Sequence, residues 1–383
     1  MFKVKKNILL SLLLLTGFFV TSQTGVTISD SIKSNNIYRK YRLYVPAIYN
    51  SSQAVPLLFN LHGYTSNAMQ QQFYGNFMPI ADTANFIMVL PEGTAPLGNQ
   101  YFNAGFGPGA NDLLYMSDLI DSLKLTYNID NNRIYSCGMS NGGIMSYYLA
   151  CNSSNRFAAA ASVTGSMLNS WFTSAPNRPF PVMEIHGTND ATVPYNGDAT
   201  FSHIDSVIKK WAKHNNCNLS PITTSVANIN TTDGATAINY RYTGGNNGAE
   251  VELYKVLNGA HTWPGASFVI GTTCMDFNAS VEIWRFFRKY KLNQLTTGLK
   301  EEKADHSVTL FPNPAQNEIH FNSSKENITQ IEIYDILGNK ILSRANETKQ
   351  MTINLSELQN GVYFIHAYSN NYLLGIEKFV ISR

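Results

Sequence analysis

The most constraining feature of the sequence is a series of short apolar runs closed by glycine, which alternate with helix-like stretches between residues 37 and 295. Examples are PLLFNLHG (56–63), RIYSCG (133–138) and PVMEIHG (181–187). Apolar runs of this length are typical of strands that are buried on both faces of a parallel sheet. The intervening stretches carry apolar residues at helical spacing. The pattern therefore predicts an α/β fold, a mostly parallel sheet with helices on both faces.

The pattern changes close to residue 295. Residues 296–306 are polar and charged, which is typical of a linker. Residues 307–383 then show alternating strands separated by Asn, Gly and Pro turns, a pattern that favours a small all-β sandwich. We therefore expect an α/β domain over residues 26–295 and a second, all-β domain over residues 307–383.

The N-terminus has the composition of a secretory signal peptide. Three lysines within the first six residues precede the apolar run Ile8–Val20, and small residues follow it up to a plausible cleavage site after Ser22. The run is too short for a membrane-spanning helix, so we expect export and no stable membrane span after residues 1–22 are removed. A formal net charge of +2, without a basic block beyond the N-terminus, argues against a nucleic-acid partner.

An exported protein can form disulfides, and this chain has 4 cysteines. Cys137 is predicted to end a strand and Cys151 to lie three turns along the next helix, which separates them by roughly 15 Å, too far for a bridge. We expect Cys217 and Cys274 to pair. The spacing of cysteines and histidines does not indicate a metal site, and we expect no cofactor.

A serine between two glycines follows one of the predicted strands directly. Gly138-Met139-Ser140-Asn141-Gly142 lies between the strand RIYSC and an apolar helix. The pentapeptide alone is common, but the strand–turn–helix context is the one that a nucleophilic serine on a sharp turn requires. The context therefore predicts that Ser140 is a nucleophile.

A serine hydroxyl needs a general base, and the base needs an acid that orients it. In folds of this kind the chain order is serine, acid, histidine, each in a loop after a strand. Asp190 follows the strand PVMEIHG, and His261 follows the strand VELYKVLNG (251–259). The order and the positions predict a Ser140–His261–Asp190 triad that attacks an ester carbonyl.

Other titratable residues compete for these roles. His62 and His186 stand at strand ends upstream of the required position, where we expect structural roles. Asp112 is out of order for the acid, and Asp198 lies at a predicted helix start, where capping explains it.

The developing oxyanion needs two backbone N–H donors. We expect one from Asn141, the residue after the nucleophile, and the other from the loop that follows FNLHG, at Tyr64. The helix that begins after Ser140 favours negative charge at this place.

These motifs together resemble a known family. The stretches LLFNLHGYTSNA, GMSNGG, HGTNDATVPY and NGAHTWPG, in this order, are similar to secreted esterases that include feruloyl esterases, acetylxylan esterases and polyhydroxybutyrate depolymerases. The resemblance covers roughly residues 37–292. It implies an α/β-hydrolase fold with the same triad, and a polysaccharide ester or a polyester as substrate.

The C-terminal part has a resemblance of its own. LFPNPAQNEI, IEIYDILGNKIL, LSELQNGVYFI and the terminal KFVIS are similar to the sorting domain of type IX secretion. Together with a signal peptide, this resemblance implies export across two membranes, the secretion machinery as a partner, and a location at the cell surface or outside the cell. The alternative is a spacer or carbohydrate-binding sandwich.

Three functions remain open at the level of the sequence. The first is an esterase acting on feruloyl or acetyl groups of plant-wall polysaccharides, and the second is a polyester depolymerase of the hydroxybutyrate type. The third, from a different class, is a catalytically inactive carbohydrate-binding protein. For the first, Trp263 and Trp171 are candidates to stack on a sugar ring or an aromatic acid, with ordinary packing as the alternative.

Overall fold

The computed structural model describes residues 25–296, 308–323, 327–335, 339–369 and 372–383. The predicted signal peptide and residues 297–306 of the predicted linker lie outside the described residues. The chain divides into two compact units, Met1–Thr297 and Gly298–Arg383.

Over residues 25–296, the first unit has ten strands and seven α-helices. Its strands are β1 (Val26–Ser34), β2 (Ile37–Val45), β3 (Val55–Leu61), β4 (Ile87–Pro91), β5 (Ile129–Met139), β6 (Ala159–Val163), β7 (Val182–Gly187), β8 (Ile222–Ser225), β9 (Thr236–Tyr242) and β10 (Val251–Leu257). Its helices are α1 (Ala68–Tyr74), α2 (Met78–Ala84), α3 (Asp112–Lys124), α4 (Asn141–Asn152), α5 (Ile204–His214), α6 (Ala279–Phe287) and α7 (Leu292–Thr296). A search of the described residues finds no helix with the length and apolar character that crossing a bilayer requires.

The ten strands form one sheet in the order β1-β2-β4-β3-β5-β6-β7-β10-β9-β8. The six central strands, from β4 to β10, are parallel to one another. β1 and β2 extend one edge with antiparallel pairing, and β9 and β8 extend the other. The predicted α/β fold with a mostly parallel sheet is thereby confirmed.

Both faces of the sheet are covered, as the continuous apolar runs require. In β3, Leu57, Phe59 and Leu61 belong to the core on one face, whereas Leu58 belongs to the core on the other. All seven residues of β3 are buried. Alternate side chains of each central strand therefore anchor helices on opposite sides, and the loops that follow the strands meet at one edge.

The described part of the second unit is all-β. Its strands are β11 (Val308–Phe311), β12 (Glu318–Ser323), β13 (Ile328–Asp335), β14 (Lys340–Thr348), β15 (Gln350–Asn354), β16 (Gly361–Ser369) and β17 (Tyr372–Ile381). They form a three-stranded sheet, β11-β12-β15, and a four-stranded sheet, β14-β13-β16-β17, both antiparallel. Buried isoleucines and phenylalanines from both sheets share one core. The predicted all-β sandwich is confirmed.

The predicted disulfide is wrong. All four cysteines are free thiols, and three of them are buried. Cys217 packs in the core on one face of the large sheet, whereas Cys274 packs in the core on the opposite face. Because the sheet lies between the two thiols, no local movement can bring them together. Burial raises the pKa of Cys217 to about 11 and that of Cys274 to about 12, so both stay protonated.

We expect the purified protein, unfolded in guanidinium without reductant, to titrate four thiols with a disulfide-exchange reagent. Adding reductant should leave its melting temperature unchanged, because no bridge constrains the unfolded chain. A count of two thiols, rising to four after reduction, would contradict the assignment of free cysteines.

Candidate active site

Ser140 occupies a sharp turn between β5, which ends at Met139, and α4, which begins at Asn141. Its backbone has φ 56° and ψ −119°, a conformation that residues other than glycine rarely adopt. Its N–H donates to the carbonyl of Val163 at the end of β6, 2.8 Å away, which holds the turn in place. Backbone strain of this kind is found at functional sites, where the contacts of the surrounding structure hold the unfavourable conformation in place.

The glycines around Ser140 allow three backbones to come close. A Cβ atom at Gly138 would lie 2.6 Å from the carbonyl oxygen of Leu61 on β3, and one at Gly143 would lie 2.5 Å from Ser162 Oγ on β6. A Cβ at Gly142 would collide with the backbone of Leu61. Glycine at these positions is therefore a steric requirement of the packing of α4 against β3 and β6.

Asp190 and His261 lie in the loops that follow β7 and β10, which are neighbours in the sheet. Backbone hydrogen bonds join these loops: Thr188 N–H donates to Val256 O at 2.8 Å and Asn189 N–H to Gly259 O at 2.9 Å. As a result, His261 Nδ1 donates to Asp190 Oδ2 over 2.7 Å, although 71 residues separate them in sequence.

The environment of Asp190 keeps its carboxylate ionised. The Oδ1 atom accepts the backbone N–H groups of Thr192 and Val193 at 2.8 and 2.9 Å. Burial by itself raises the pKa of Asp190, but hydrogen bonds from His186 and His261 outweigh it and bring the pKa well below its usual range. The carboxylate can therefore orient His261 without taking its proton.

Ser140 and His261 open onto the same cavity, which has a volume of about 360 Å³. Its lining combines the serine and the histidine with aromatic and apolar side chains; the lining residues are Gly63, Tyr64, Ser66, Gln70, Gln71, Tyr74, Met139, Ser140, His261, Phe268 and Ile270. The rings of Tyr74 and Phe268 contact each other with centroids 4.9 Å apart. The cavity is a concave apolar site with a few convergent polar groups, as binding sites for organic ligands generally are.

The two expected N–H donors lie close to Ser140 in the fold. Gly63 and Tyr64 line the cavity, and a Cβ at Gly63 would lie 3.5 Å from Ser140 Cβ. Asn141 is the first residue of α4, so its N–H has no acceptor within the helix. The side chain of Asn141 is bonded in both directions to the backbone of Phe102 at 2.7 and 3.0 Å, which fixes the start of α4.

The structure does not support the stacking role expected for Trp263. This side chain is only 1% exposed and packs edge-on against Phe77. Its indole Nε1–H donates to Ser280 Oγ at 3.2 Å, and its backbone N–H donates to Tyr74 Oη at 3.1 Å. Trp263 therefore anchors the loop that carries His261 to the helices beneath it, and its ring is not available to a substrate.

Trp171 is also unavailable for stacking on a substrate. It lies in a short 3₁₀ turn, Asn169–Trp171, and is 8% exposed. Its ring packs against that of Tyr148 on α4 with centroids 5.4 Å apart, and Trp171 is not among the described residues that line the cavity. Both tryptophans therefore have the alternative role, ordinary packing in the protein interior.

The competing residues have structural partners. Asp112 forms a buried ion pair with Arg39 over 2.5 Å and accepts the N–H of Asn103. Asp198 accepts the N–H groups of Thr200 and Phe201 in a turn. Neither aspartate lines the cavity.

Sequence reasoning missed the apolar wall of the cavity. Phe268 and Ile270 follow His261 within the same loop, and Tyr74 comes from α1. A signal was present: three consecutive apolar residues, those of SFVIG, stand in the loop after His261, and all three are exposed in the structure. An exposed apolar cluster in the loop that carries a candidate catalytic histidine points to contact with a ligand.

Comparison with known proteins agrees with the motifs. Residues 110–227 match the family model described as phospholipase/carboxylesterase. Residues 309–382 match the model described as secretion system C-terminal sorting domain. The resemblance to secreted esterases and to a sorting domain is thereby confirmed. The second match also confirms the expected location at the cell surface or outside the cell.

Individual relatives are similar at modest identity. A bifunctional acetylxylan esterase/xylanase of Neocallimastix patriciarum is 32% identical over 169 residues, which cover 44% of this chain and 24% of that protein. Feruloyl esterase B of Piromyces equi is 29% identical over 196 residues, which cover 48% of this chain and 37% of that protein. A solved acetyl xylan esterase from Aspergillus awamori is 14% identical, with a TM-score of 0.48 over 62% of this chain and 94% of that one. The chain thus spans well under half the length of the first two relatives.

His62 follows β3 directly. We expect it to make the free energy of unfolding depend on pH in the acidic range. Its Nδ1 donates to Gly63 O at 2.7 Å while its Nε2 accepts Gly93 N–H at 3.0 Å, so the ring is neutral. Burial lowers the pKa of His62 to about 4. Because its pKa is lower in the folded state, its contribution to stability is present above about pH 6.5 and is lost as the pH falls through 4.

We expect the free energy of unfolding to fall less between pH 7 and pH 4 in His62→Gln than in the wild type, by about 3 kcal/mol. Urea unfolding at the two pH values measures it. His320→Gln, in the second unit, is the control and should follow the wild type. Equal losses in His62→Gln and the wild type would refute the assignment of a neutral, buried His62.

Proposed function

We propose that this chain is a secreted serine esterase that hydrolyses feruloyl or acetyl esters on plant-wall polysaccharides. The observation that carries the proposal is the 2.7 Å Asp190–His261 hydrogen bond beside a cavity that also exposes Ser140 on its strained turn. The names of the relatives, feruloyl and acetylxylan esterases, support this class of substrate.

The reaction begins with proton transfer from Ser140 Oγ to His261 Nε2. The oxygen attacks the ester carbonyl carbon, and the tetrahedral intermediate collapses when the protonated His261 donates its proton to the alcohol oxygen of the sugar. Asp190 holds the imidazole in the tautomer that leaves Nε2 free to accept, and its charge stabilises the imidazolium. The acyl group then remains on Ser140.

Deacylation repeats these steps with water. His261 removes a proton from the water, whose oxygen attacks the acyl-enzyme carbonyl, and the proton is then returned to Ser140 Oγ as the acid leaves. In both halves of the reaction, the N–H groups of Tyr64 and Asn141 stabilise the negative oxygen, and the start of α4 adds its dipole.

The apolar wall favours an aromatic acyl group over acetyl. A cavity of about 360 Å³ is far larger than an acetyl group needs. Tyr74, Phe268 and Ile270 offer faces and edges against which a phenolic ring can pack, an arrangement worth about 1 kcal/mol beyond the burial of area. The sugar chain can remain outside, beside the exposed loop.

The C-terminal unit supplies the route to such substrates. Polysaccharides of the plant wall lie outside the cell, and a sorting domain delivers its cargo to the surface or beyond. We propose the type IX secretion machinery as the partner of residues 307–383.

Replacing a member of the triad should abolish turnover while the fold is retained. We expect Ser140→Ala and His261→Ala to lower kcat by about four orders of magnitude or more. Asp190→Asn should lower it by a similar factor, because the amide favours the wrong imidazole tautomer. Turnover of a nitrophenyl ester measures this effect.

Asp198→Asn is the matched control for the acid and should keep wild-type kcat. A fluorophosphonate probe should label the wild type and fail to label Ser140→Ala. Undiminished labelling of Ser140→Ala would mean that another residue is the nucleophile. A wild type that is not labelled and hydrolyses no ester would favour the inactive binding protein instead.

The apolar wall predicts a preference for aromatic acyl groups, and a substitution in the wall should weaken that preference. Phe268→Ala should lower kcat/KM for methyl ferulate about tenfold, because the ring contact is lost. Its kcat/KM for a small acetyl ester should change less than threefold. Val269→Ala, beside it in the same loop, is the control, since Val269 does not line the cavity among the described residues.

Rates of the wild type on methyl ferulate, acetylated xylan, hydroxybutyrate oligomers and a long-chain triglyceride complete this test. Fastest turnover of the hydroxybutyrate oligomers would establish the polyester depolymerase instead. An equal loss on both esters in Phe268→Ala would rule out an aromatic acyl site at Phe268.

A further inference from the structure

Behind the triad carboxylate lies a second histidine that the proposed mechanism does not use. His186, at the end of β7, is 0% exposed. Its Nε2 lies 3.4 Å from Asp190 Oδ2, the same oxygen that His261 contacts at 2.7 Å. Asp190 Oδ2 is therefore shared by two imidazoles, one inside the core and one at the cavity.

Both ring nitrogens of His186 face oxygen atoms. Nδ1 lies 2.9 Å from Glu184 Oε1, and Nε2 lies 2.8 Å from the carbonyl oxygen of Val193. A carbonyl oxygen can only accept, so Nε2 must carry a proton. The other carboxylate oxygen of Glu184 accepts from Tyr147 Oη over 2.8 Å, which leaves Oε1 for the proton of Nδ1.

His62 provides a contrast within the same unit. It is equally buried, but one of its ring nitrogens accepts a backbone N–H from Gly93, and that nitrogen cannot carry a proton. The neighbours of His62 require a neutral ring, whereas those of His186 match a ring with a proton on each nitrogen.

The charges around His186 also favour a ring with a proton on each nitrogen. The titratable groups that face it, or face its direct neighbours, come from β7, α4, α5, β10 and the loops beside them. They are Glu184, Asp190, Tyr195, Tyr147, Lys255, His203, Asp205 and His261. The two carboxyl groups in direct contact outweigh Lys255, whose ammonium lies over the ring of Tyr195. Burial raises the pKa of Glu184, and the hydrogen bonds from His186 and Tyr147 act against that rise. Burial lowers the pKa of His186, but hydrogen bonds and charge from Asp190 and Glu184 raise it to about 9.

We propose that His186 is a buried imidazolium, paired with Glu184, that positions Asp190 and draws negative charge away from its Oδ2 atom. It is a positioning residue, because it acts on the reaction only through Asp190. This inference rests on the proposed triad.

The consequence concerns the basicity of His261. Asp190 stabilises the protonated form of His261, and a second cation on the same oxygen weakens that stabilisation. His186 thus offsets part of the negative charge with which Asp190 favours a proton on His261. The charge on its ring, with Nε2 3.4 Å from Asp190 Oδ2, also helps to hold Asp190 in the orientation that faces the cavity.

The protonation state is tested on the full chain labelled with ¹⁵N-histidine, by ring ¹⁵N chemical shifts between pH 6 and 10. We expect one buried histidine to keep both ring protons at pH 8 and lose one close to pH 9, and its signals to be missing in His186→Gln. The signals of His62 should show a single ring proton throughout. A His186 ring with one proton at pH 7.5 would overturn the proposal, whether or not the chain is an esterase.

The effect on catalysis is tested by the pH dependence of kcat/KM on a nitrophenyl ester. In His186→Gln, the midpoint of the acidic limb should rise by about half a pH unit to one unit, since the neutral amide no longer competes for Asp190. His214→Gln, on α5 outside the cavity, is the control and should keep the wild-type midpoint. A lower kcat or melting temperature in His186→Gln with an unmoved midpoint would mean a structural role only, and would contradict the proposal.

Discussion

The site depends on a steric constraint, the close approach of β3, β5 and α4 at the turn that carries Ser140. Gly138 and Gly142 leave no room for a Cβ atom beside the carbonyl of Leu61. Because the backbones approach this closely, the loop that follows β3 is brought next to the serine, and Tyr64 with it. The strained φ of Ser140 is the local cost of this arrangement, and the surrounding sheet maintains it. Ser140 and Tyr64, proposed here as nucleophile and N–H donor, are thus brought together by one packing contact.

The parallel order of the sheet brings together the other two residues of the proposed triad. β7 and β10 are neighbours, so the loops at their carboxyl ends meet. Backbone hydrogen bonds join the two loops. Asp190 and His261 are carried on these loops. Trp263 then fixes the second loop from below through Tyr74 and Ser280. Backbone hydrogen bonds and the contacts of Trp263 therefore hold Asp190 and His261 in place, and a fixed geometry is what a short hydrogen bond needs to orient an imidazole.

The central strands were predictable because strands buried on both faces read as continuous apolar runs. β1, β8 and β9 were not, since they extend the edges of the sheet, and β8 is exposed along its whole length. The positions of the triad candidates followed from chain order and loop position. The predictions of a disulfide and of stacking tryptophans were wrong for one reason. Sequence spacing does not determine on which face of a sheet, or on which side of a loop, a side chain lies. Cys217 and Cys274 lie on opposite faces.

For the same reason, the sequence did not indicate the role proposed for His186. At the end of an apolar strand it looked like a structural histidine, yet the period of two in β7 places it on one face with Glu184, while Met183 and Ile185 enter the opposite core. A buried ion pair is costly to desolvate and adds little stability compared with an apolar pair of the same volume. Here its cation lies against the carboxylate that orients His261, where its charge acts on the basicity of that imidazole. An apolar replacement could fill the space, but it would leave Asp190 Oδ2 to His261 alone.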